Sequence, residues 1–226
     1  MDRASATTFL VFDHPPTGPG YVHPYSAAVG AMNAIWQSWD PFHAGSLVIG
    51  GQVWALLGDR EDGKSSTLAW AHLHGFPVFS DDLTVLRDFT ALAGPRSLDL
   101  RQSASEYLGV GEDVGVLGTR RRWRIQLPQV PAELPFGGWI KLSWRDGPPA
   151  CRVAKAKERL RSLTAARAIP VHAPDPRRWL ILIAAPMIVF ERPRDWSEME
   201  QSWAALLDAV EATASLIGEK ARAPER

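Results

Sequence analysis

Short β-rich runs interleaved with helical stretches predict a mixed α/β fold, and three local signals fix its clearest part. Gly50-Gly51 separates runs over 46–49 and 52–57, the signature of a tight hairpin. The second run leads into Gly58-Asp59-Arg60-Glu61-Asp62-Gly63-Lys64-Ser65-Ser66, and a helix over 64–74 follows, stopped by Gly75. A short apolar strand over 76–79 then ends in Ser80-Asp81-Asp82.

The other elements follow in order. Residues 7–12 read as a strand, and a Pro/Gly-rich loop runs from 13 to 24. A helix over 26–39 takes Ser26 as its N-cap, carries Val29, Met32, Ile35 and Trp36 on one face, and stops at Asp40-Pro41. Beyond Asp82, residues 83–86 continue as a strand, Gly94-Pro95 turns the chain, and 103–108 form a helical turn. Strands are expected over 125–127, 139–144 and 187–190. Helices are expected over 154–167, which is basic and amphipathic, and over 176–184, which reads as buried. A closing helix spans 195–217, with Asp195 near its start and Gly218 at its end. Trp196 and Trp203, seven residues apart, read as core, and the last eight residues as frayed. No repeat or linker interrupts the chain. It reads as a single domain over 1–226, with a strand and helix in 1–39, the glycine-loop core in 40–90 and the rest in 91–226.

Composition narrows the function. A chain of 226 residues, 46% of them apolar, is long enough to bury a real core. Twenty-five Lys+Arg balance twenty-five Asp+Glu, so no global field attracts a polyanion or an anionic membrane. A nucleic acid or membrane partner is therefore not expected. The single cysteine, Cys151, excludes an intrachain disulfide or multi-thiolate zinc site. No run of about 18 apolar residues appears, and Met-Asp-Arg-Ala-Ser lacks a signal pattern, which predicts a soluble cytoplasmic protein.

Gly58-x4-Gly63-Lys64-Ser65 matches the phosphate-binding P-loop pattern, with a strand before it and a helix after it. Such a loop needs backbone N–H groups turned inward, and the helix start adds a positive dipole end beneath the anion. Lys64 supplies an ammonium for the β/γ-phosphates, and Ser65 a hydroxyl for Mg²⁺. Asp81 and Asp82 emerge where a strand ends, the usual position of ligands in α/β sheets. One carboxylate can hold Mg²⁺ while the other accepts a proton from an attacking hydroxyl. The bland alternative for the pair is a turn or cap; sixteen residues between Ser65 and Asp81 leave room for one helix and one returning strand, which makes a shared site plausible. His43 stands just before the hairpin, within reach of that site, while His72 and His74 read as capping residues of the helix end. The histidines show no metal spacing, so no zinc is assigned.

His43-Ala44-Gly45, the Gly-Gly hairpin, the glycine loop and Ser80-Asp81-Asp82 stand in an order and spacing that resembles HPr kinase/phosphorylase catalytic domains. That fold is related to the nucleotide core of phosphoenolpyruvate carboxykinases. A second phrase, Pro176-Arg177-Arg178-Trp179-Leu180 through Phe190-Glu191-Arg192-Pro193-Arg194-Asp195, looks like the tail of the shorter members. The likeness is strong over 40–90, weak over 176–210 and loose between. It implies an ATP- and Mg²⁺-dependent kinase, with residues Gly58 to Ser66 around the triphosphate and Ser65 and Asp82 on the metal. It further implies Asp81 as base and His43 beside the phosphate chemistry, paired with a carboxylate. An arginine, from Arg96, Arg101 or the Arg120-Arg121-Arg122 run, would stabilise the transferred charge. The acceptor implied is a serine of a peptide or small protein, including ribosomally made precursor peptides such as those of lasso peptides, and relatives often form homo-oligomers. Phosphorolysis is not implied, because the separate N-terminal domain and signature segment of the bifunctional enzymes are missing.

One departure opens a second reading. Glu61 stands where members of that group carry a further glycine, with Asp62 beside it, so two carboxylates approach the expected triphosphate. A β-carbon at a position that prefers positive φ adds strain. These features suit a nucleotide-binding regulatory partner that has lost catalysis. A third reading keeps the kinase and makes its acceptor a small metabolite. The basic stretch over 152–161 reads as a solvated helix face.

Overall fold

The computed structural model describes residues 2–5, 7–11, 13, 25–170 and 172–222, with side chains as far as residue 215. The strand expected over 7–12 does not form: an isolated bridge joins Asp2 to Thr7, and 8–11 are irregular. Phe12, the segment 14–24 and the terminal 223–226 lie outside the described residues.

Helix α1 (Tyr25–Trp36) begins before Ser26, which is therefore inside the helix and not its N-cap. It ends three residues before the expected 39, and Ser38 turns the chain at φ 60. Asp40-Pro41 then opens strand β1 (Asp40–Phe42), which pairs along its length with β5 (Thr84–Arg87) and on its other side makes an isolated bridge from Phe42 to Arg167. An edge strand tolerates proline because the missing N–H faces away from a partner.

The hairpin forms as read. β2 (Gly45–Ile49) and β3 (Gln52–Leu57) pair with Ile49 opposite Gln52, and Gly50 and Gly51 adopt φ 58 and 77. Two consecutive left-handed residues are what the tight hairpin turn requires. Helix α2 (Lys64–Leu73) follows the glycine loop, and β4 (Val78–Ser80) returns. Residues 93–95 form no turn: Gly94 donates its N–H to Phe79 and passes on extended. The chain continues through β6 (Thr90–Leu92), β7 (Ser97–Leu100), α3 (Gln102–Leu108), β8 (Glu112–Leu117), β9 (Arg120–Gln126) and β10 (Glu133–Trp144). Then come β11 (Ala150–Val153), α4 (Ala156–Ala166), α5 (Pro176–Ala184) and β12 (Met187–Arg192). A 3-10 turn, Trp196–Glu198, precedes α6 (Met199–Arg222), so Gly218 lies within the last helix and does not end it.

Among the described residues the main sheet runs β1-β5-β6-β10-β3-β2-β4, with β12 beside the second half of β10 and β11 at its outer edge. β10 and β12 run parallel to β3, and β4 does too, since both β3 and β4 are antiparallel to β2. Side chains alternate between two buried faces. Trp54, Leu56, Ile188 and Phe190 face α2 and α6, packing with Leu68, Trp203 and Leu206. Val53, Ala55, Leu57, Met187 and Val189 face α4 and α5, with Leu163, Leu182 and Trp139. Trp203 is core as expected, but α5 is only half so: Leu180 is 67% and Ile181 49% exposed. β7-β9-β8 form a separate small sheet that brings the arginine run onto a strand instead of a loop.

Candidate active site

Parallel strands place their C-terminal ends along one edge, and there five distant segments meet. β3 delivers the glycine loop, β4 delivers Asp81-Asp82, β10 ends at Trp144, and β12 ends at Arg192. The antiparallel β2 begins at the same edge and brings His43. No helix among the described residues is long and apolar enough to cross a membrane.

The loop is held in a left-handed conformation at Glu61 (φ 79) and Gly63 (φ 81). Gly63 is needed twice over, since a β-carbon there would also lie 2.8 Å from Arg192 Nη2 and 3.3 Å from Trp144. Glu61 bears its strained φ while its carboxylate binds Arg101 at 3.1 Å and approaches Arg120 at 3.8 Å. The Arg101 hydrogen bond holds this carboxyl below its ordinary range. Asp62 turns inward, accepting the Asp59 N–H at 2.6 Å. Lys64 donates from Nζ to the Gly58 and Asp59 carbonyls at 2.6 and 3.2 Å, and burial lowers its pKa.

Arg192 braces the loop from behind. Its side chain is buried, and Nη2 donates to the Asp62 carbonyl at 2.9 Å and to Thr67 Oγ1 at 3.0 Å. The guanidinium lies 4.1 Å over the Trp144 ring, and Trp144 Nε1 donates to the Glu61 carbonyl at 3.3 Å. Burial pulls the Arg192 pKa down to about 10, which leaves it charged at neutral pH. Its Nε and Nη1 find no hydrogen-bond partner among the described residues.

Asp81 and Asp82 sit differently. Ser65 Oγ donates to Asp81 Oδ1 at 3.2 Å, and the Asp99 backbone N–H approaches Oδ2 at 3.4 Å. Burial first, and the neighbouring Asp82 second, push the Asp81 carboxyl up to about 8. Asp82 adopts φ 61, a conformation aspartate tolerates better than most residues. His43 makes its hydrogen bond from Nδ1 to the backbone carbonyl of Asp82 at 3.1 Å, where pairing with a carboxylate was expected. The turn itself is set by Ser80, whose hydroxyl donates to the Leu83 carbonyl. Gly94 packs on it, and a β-carbon there would lie 2.8 Å from Ser80 Cβ. Gly94→Ala is expected to displace Asp81-Asp82 and destabilise the fold by about 1–3 kcal/mol through overpacking. Urea denaturation of the variant measures this.

The arginines divide. Arg96 is spent on structure, bonding the Val78, Phe79 and Pro128 carbonyls, and Arg121 pairs with Asp113 away from the loop. Arg101, Arg120 and Arg122 line a cavity of about 580 Å³ together with Lys64, Ser65, Asp82 and His43. Arg192, Arg194 and Trp144 line it too, and so do the apolar Leu100, Ala104, Trp196 and Met199. Trp196 is thus a half-buried cavity wall, stacked on Tyr107 at 4.8 Å and packed against the edge of the core. Arg192 received no role from sequence reasoning. Its signal was there: it shares the face of Ile188 and Phe190 by strand alternation, which places a cation in a buried row.

No family model matches the chain, and no curated protein matches it by sequence. Among solved structures, the Hpr(Ser) kinase/phosphatase from Coxiella burnetii is similar over 80% of this chain and 94% of that one. The identity is 14% and the TM-score 0.39. A likeness at that level says nothing about chemistry.

Proposed function

We propose that the chain is an ATP-dependent phosphotransferase that moves the γ-phosphoryl group to a serine hydroxyl of a peptide or small protein. The carrying observation is the contact of Ser65 Oγ with Asp81 at the start of α2, beside the half-buried Lys64. That pairing of a loop hydroxyl with a strand-end carboxylate is how P-loop enzymes hold Mg²⁺. Among the described residues no group of three His, Cys, Asp or Glu is arranged around a metal. Mg²⁺ needs none, since it keeps waters and phosphate oxygens and takes one or two protein ligands. When bound, Mg²⁺ supplies charge for the phosphate oxygens.

The residues divide the work accordingly. Backbone N–H groups of the loop and the start of α2 hold the phosphates, and Lys64 leaves its carbonyl partners for the β/γ-oxygens. The Ser65 contact favours Asp81 as the carboxylate beside the metal, and Asp82, which lines the cavity, as the base. This reverses the order that the resemblance implies. The acceptor oxygen forms its bond to phosphorus, the bond to the ADP oxygen breaks, and the acceptor proton passes to Asp82. His43 steadies the Asp82 backbone. Arg120 or Arg122, or Arg101 once it leaves Glu61, would meet the transferred charge, whereas Arg96 and Arg121 are engaged elsewhere.

Calorimetric titration with ATP·Mg²⁺ beside Lys64→Ala tests the reading. Binding that disappears in the variant is expected; no binding by the native protein at millimolar nucleotide overturns the reading.

One observation favours the regulatory alternative: Asp62 occupies the Asp59 N–H, one of the donors that a phosphate would need. Glu61 also ties up Arg101. Glu61→Gly removes a charge, frees Arg101 and relieves the positive φ. It is therefore expected to tighten ATP binding, read by the same titration, and a gain of turnover alongside would mark the native loop as a damped one.

A further inference from the structure

The cavity beside the glycine loop has two kinds of wall. Arg101, Arg120 and Arg122 face it with charge, whereas Leu100, Ala104, Trp196 and Met199 give it an apolar stretch between α3 and the turn that opens α6. Its volume of about 580 Å³ lies within the range of about 300–1,000 Å³ usual for small-molecule sites, which leaves room beyond a phosphate chain.

Trp196 is a built part of the apolar wall. The Asp195 carboxylate accepts from the Ser197 N–H at 2.9 Å and from Ser197 Oγ at 2.8 Å, which fixes the 3-10 turn that carries the indole. Tyr107 of α3 stacks on the ring at 4.8 Å with the planes 12° apart, and does not itself line the cavity. One face of Trp196 is thus held from outside. The other indole on the wall, Trp144, already has the Arg192 and Arg194 guanidiniums over its ring, at 4.1 and 5.0 Å.

We propose that Trp196 is the platform for the nucleobase, which enters the apolar part of the cavity while the phosphates follow the glycine loop. The inference rests on the phosphotransferase reading above. Positions on α2 give the direction. Ser65 and Thr67 stand two residues apart, about 200° around the helix, so they face opposite sides of its first turn. Ser65 turns to Asp81, beside the base that takes the acceptor proton, and Thr67 turns to Arg192. Four residues beyond Arg192 the chain reaches Trp196. A nucleotide whose γ-phosphate lies beside Asp82 therefore carries its base toward the Trp196 side.

The wall suits that occupant. A nucleobase is flat and uncharged, and an indole offers it a ring surface for stacking. Leu100, Ala104 and Met199 are buried apolar side chains, which contact a base and keep water from it without adding charge. The platform thereby defines the donor as a nucleotide and not a bare polyphosphate.

Calorimetry on the full chain with Mg²⁺ tests this by comparing ATP with ribose 5-triphosphate, which keeps the sugar and phosphates and lacks the base. The native chain is expected to bind ATP at least about fivefold more tightly, the low end of what base–aromatic stacking contributes. Trp196→Ala is expected to remove that advantage and to leave the affinity for ribose 5-triphosphate unchanged, which also reports an intact loop. Trp196→Phe keeps a ring and is expected to retain most of the preference. Trp196→Leu, apolar but without a ring, serves if the alanine variant does not fold. Equal affinity of the native chain for the two ligands, a preference for ATP that survives in the alanine or leucine variant, or an equal loss of both ligands in a folded variant each overturns the platform. Binding of neither ligand by the native chain at millimolar concentration overturns the phosphotransferase reading itself, and the platform with it.

Discussion

Asp82→Asn is expected to lower phosphoryl transfer by about 10²–10⁴-fold, the usual contribution of a positioned base, while ATP·Mg²⁺ still binds. The substitution isolates the chemistry. Asparagine accepts φ 61 as readily as aspartate, so the turn and the His43 contact to the Asp82 carbonyl persist. What is lost is the capacity to take a proton. Asp81→Asn gives the contrasting result. Its carboxylate lies against Ser65 Oγ, so the variant is expected to need far more Mg²⁺ for half-maximal rate. Rates measured across a Mg²⁺ series decide between the two roles. If Asp82→Asn shifts the Mg²⁺ requirement and Asp81→Asn does not, the roles are exchanged.

The second large effect concerns stability. Arg124 and Asp99 form a bidentate pair at 2.6 and 2.7 Å, with side chains 3% and 7% exposed. Asp99→Ala removes the carboxylate from beside a buried guanidinium and is expected to cost about 3–5 kcal/mol in urea denaturation. The backbone N–H of Asp99 that approaches Asp81 survives the change, so nucleotide binding by the folded fraction should persist. Replacing both partners, Asp99→Leu with Arg124→Met, should recover most of the loss, because the buried charge is then gone. A double variant as unstable as the single one would mean that the pair itself, and not the remaining charge, carries the stability.

Turn chemistry made the centre of this fold readable. Gly50-Gly51, the glycine loop and the Asp175-Pro176 start of α5 each impose a backbone geometry that few residues satisfy, and each element stands where it was expected. Reading failed where local preference and tertiary context part. Asp40-Pro41 looks like a helix stop and nothing more, yet it opens an edge strand because β5 is there to pair with it. The Arg120-Arg121-Arg122 run offers three equal candidates for a transferred charge, but β7 and β8 flank its strand, Arg121 turns to Asp113, and the next arginine, Arg124, is buried against Asp99. At the site, spacing brought Lys64, Ser65, Asp81, Asp82 and His43 into one neighbourhood. It could not order the two carboxylates, because that order depends on which of them the α2 hydroxyl touches. Nor could spacing show that Arg192, 130 positions from Asp62, supports the loop carbonyl there.

The parallel insertion of β12 beside β10 has a consequence for synthesis on the ribosome. The glycine loop is made early, but the strand that ends in its Arg192 brace comes more than a hundred residues later. Until that strand leaves the exit tunnel, Trp144 lacks its cationic partner and the sheet edge beside β10 stays open. A nascent chain therefore carries the whole glycine loop for most of its translation with only its internal contacts and without the Arg192 brace on the Asp62 carbonyl. On the phosphotransferase reading, phosphate capture would come late, and stalled or truncated products are expected not to compete with the finished protein for nucleotide.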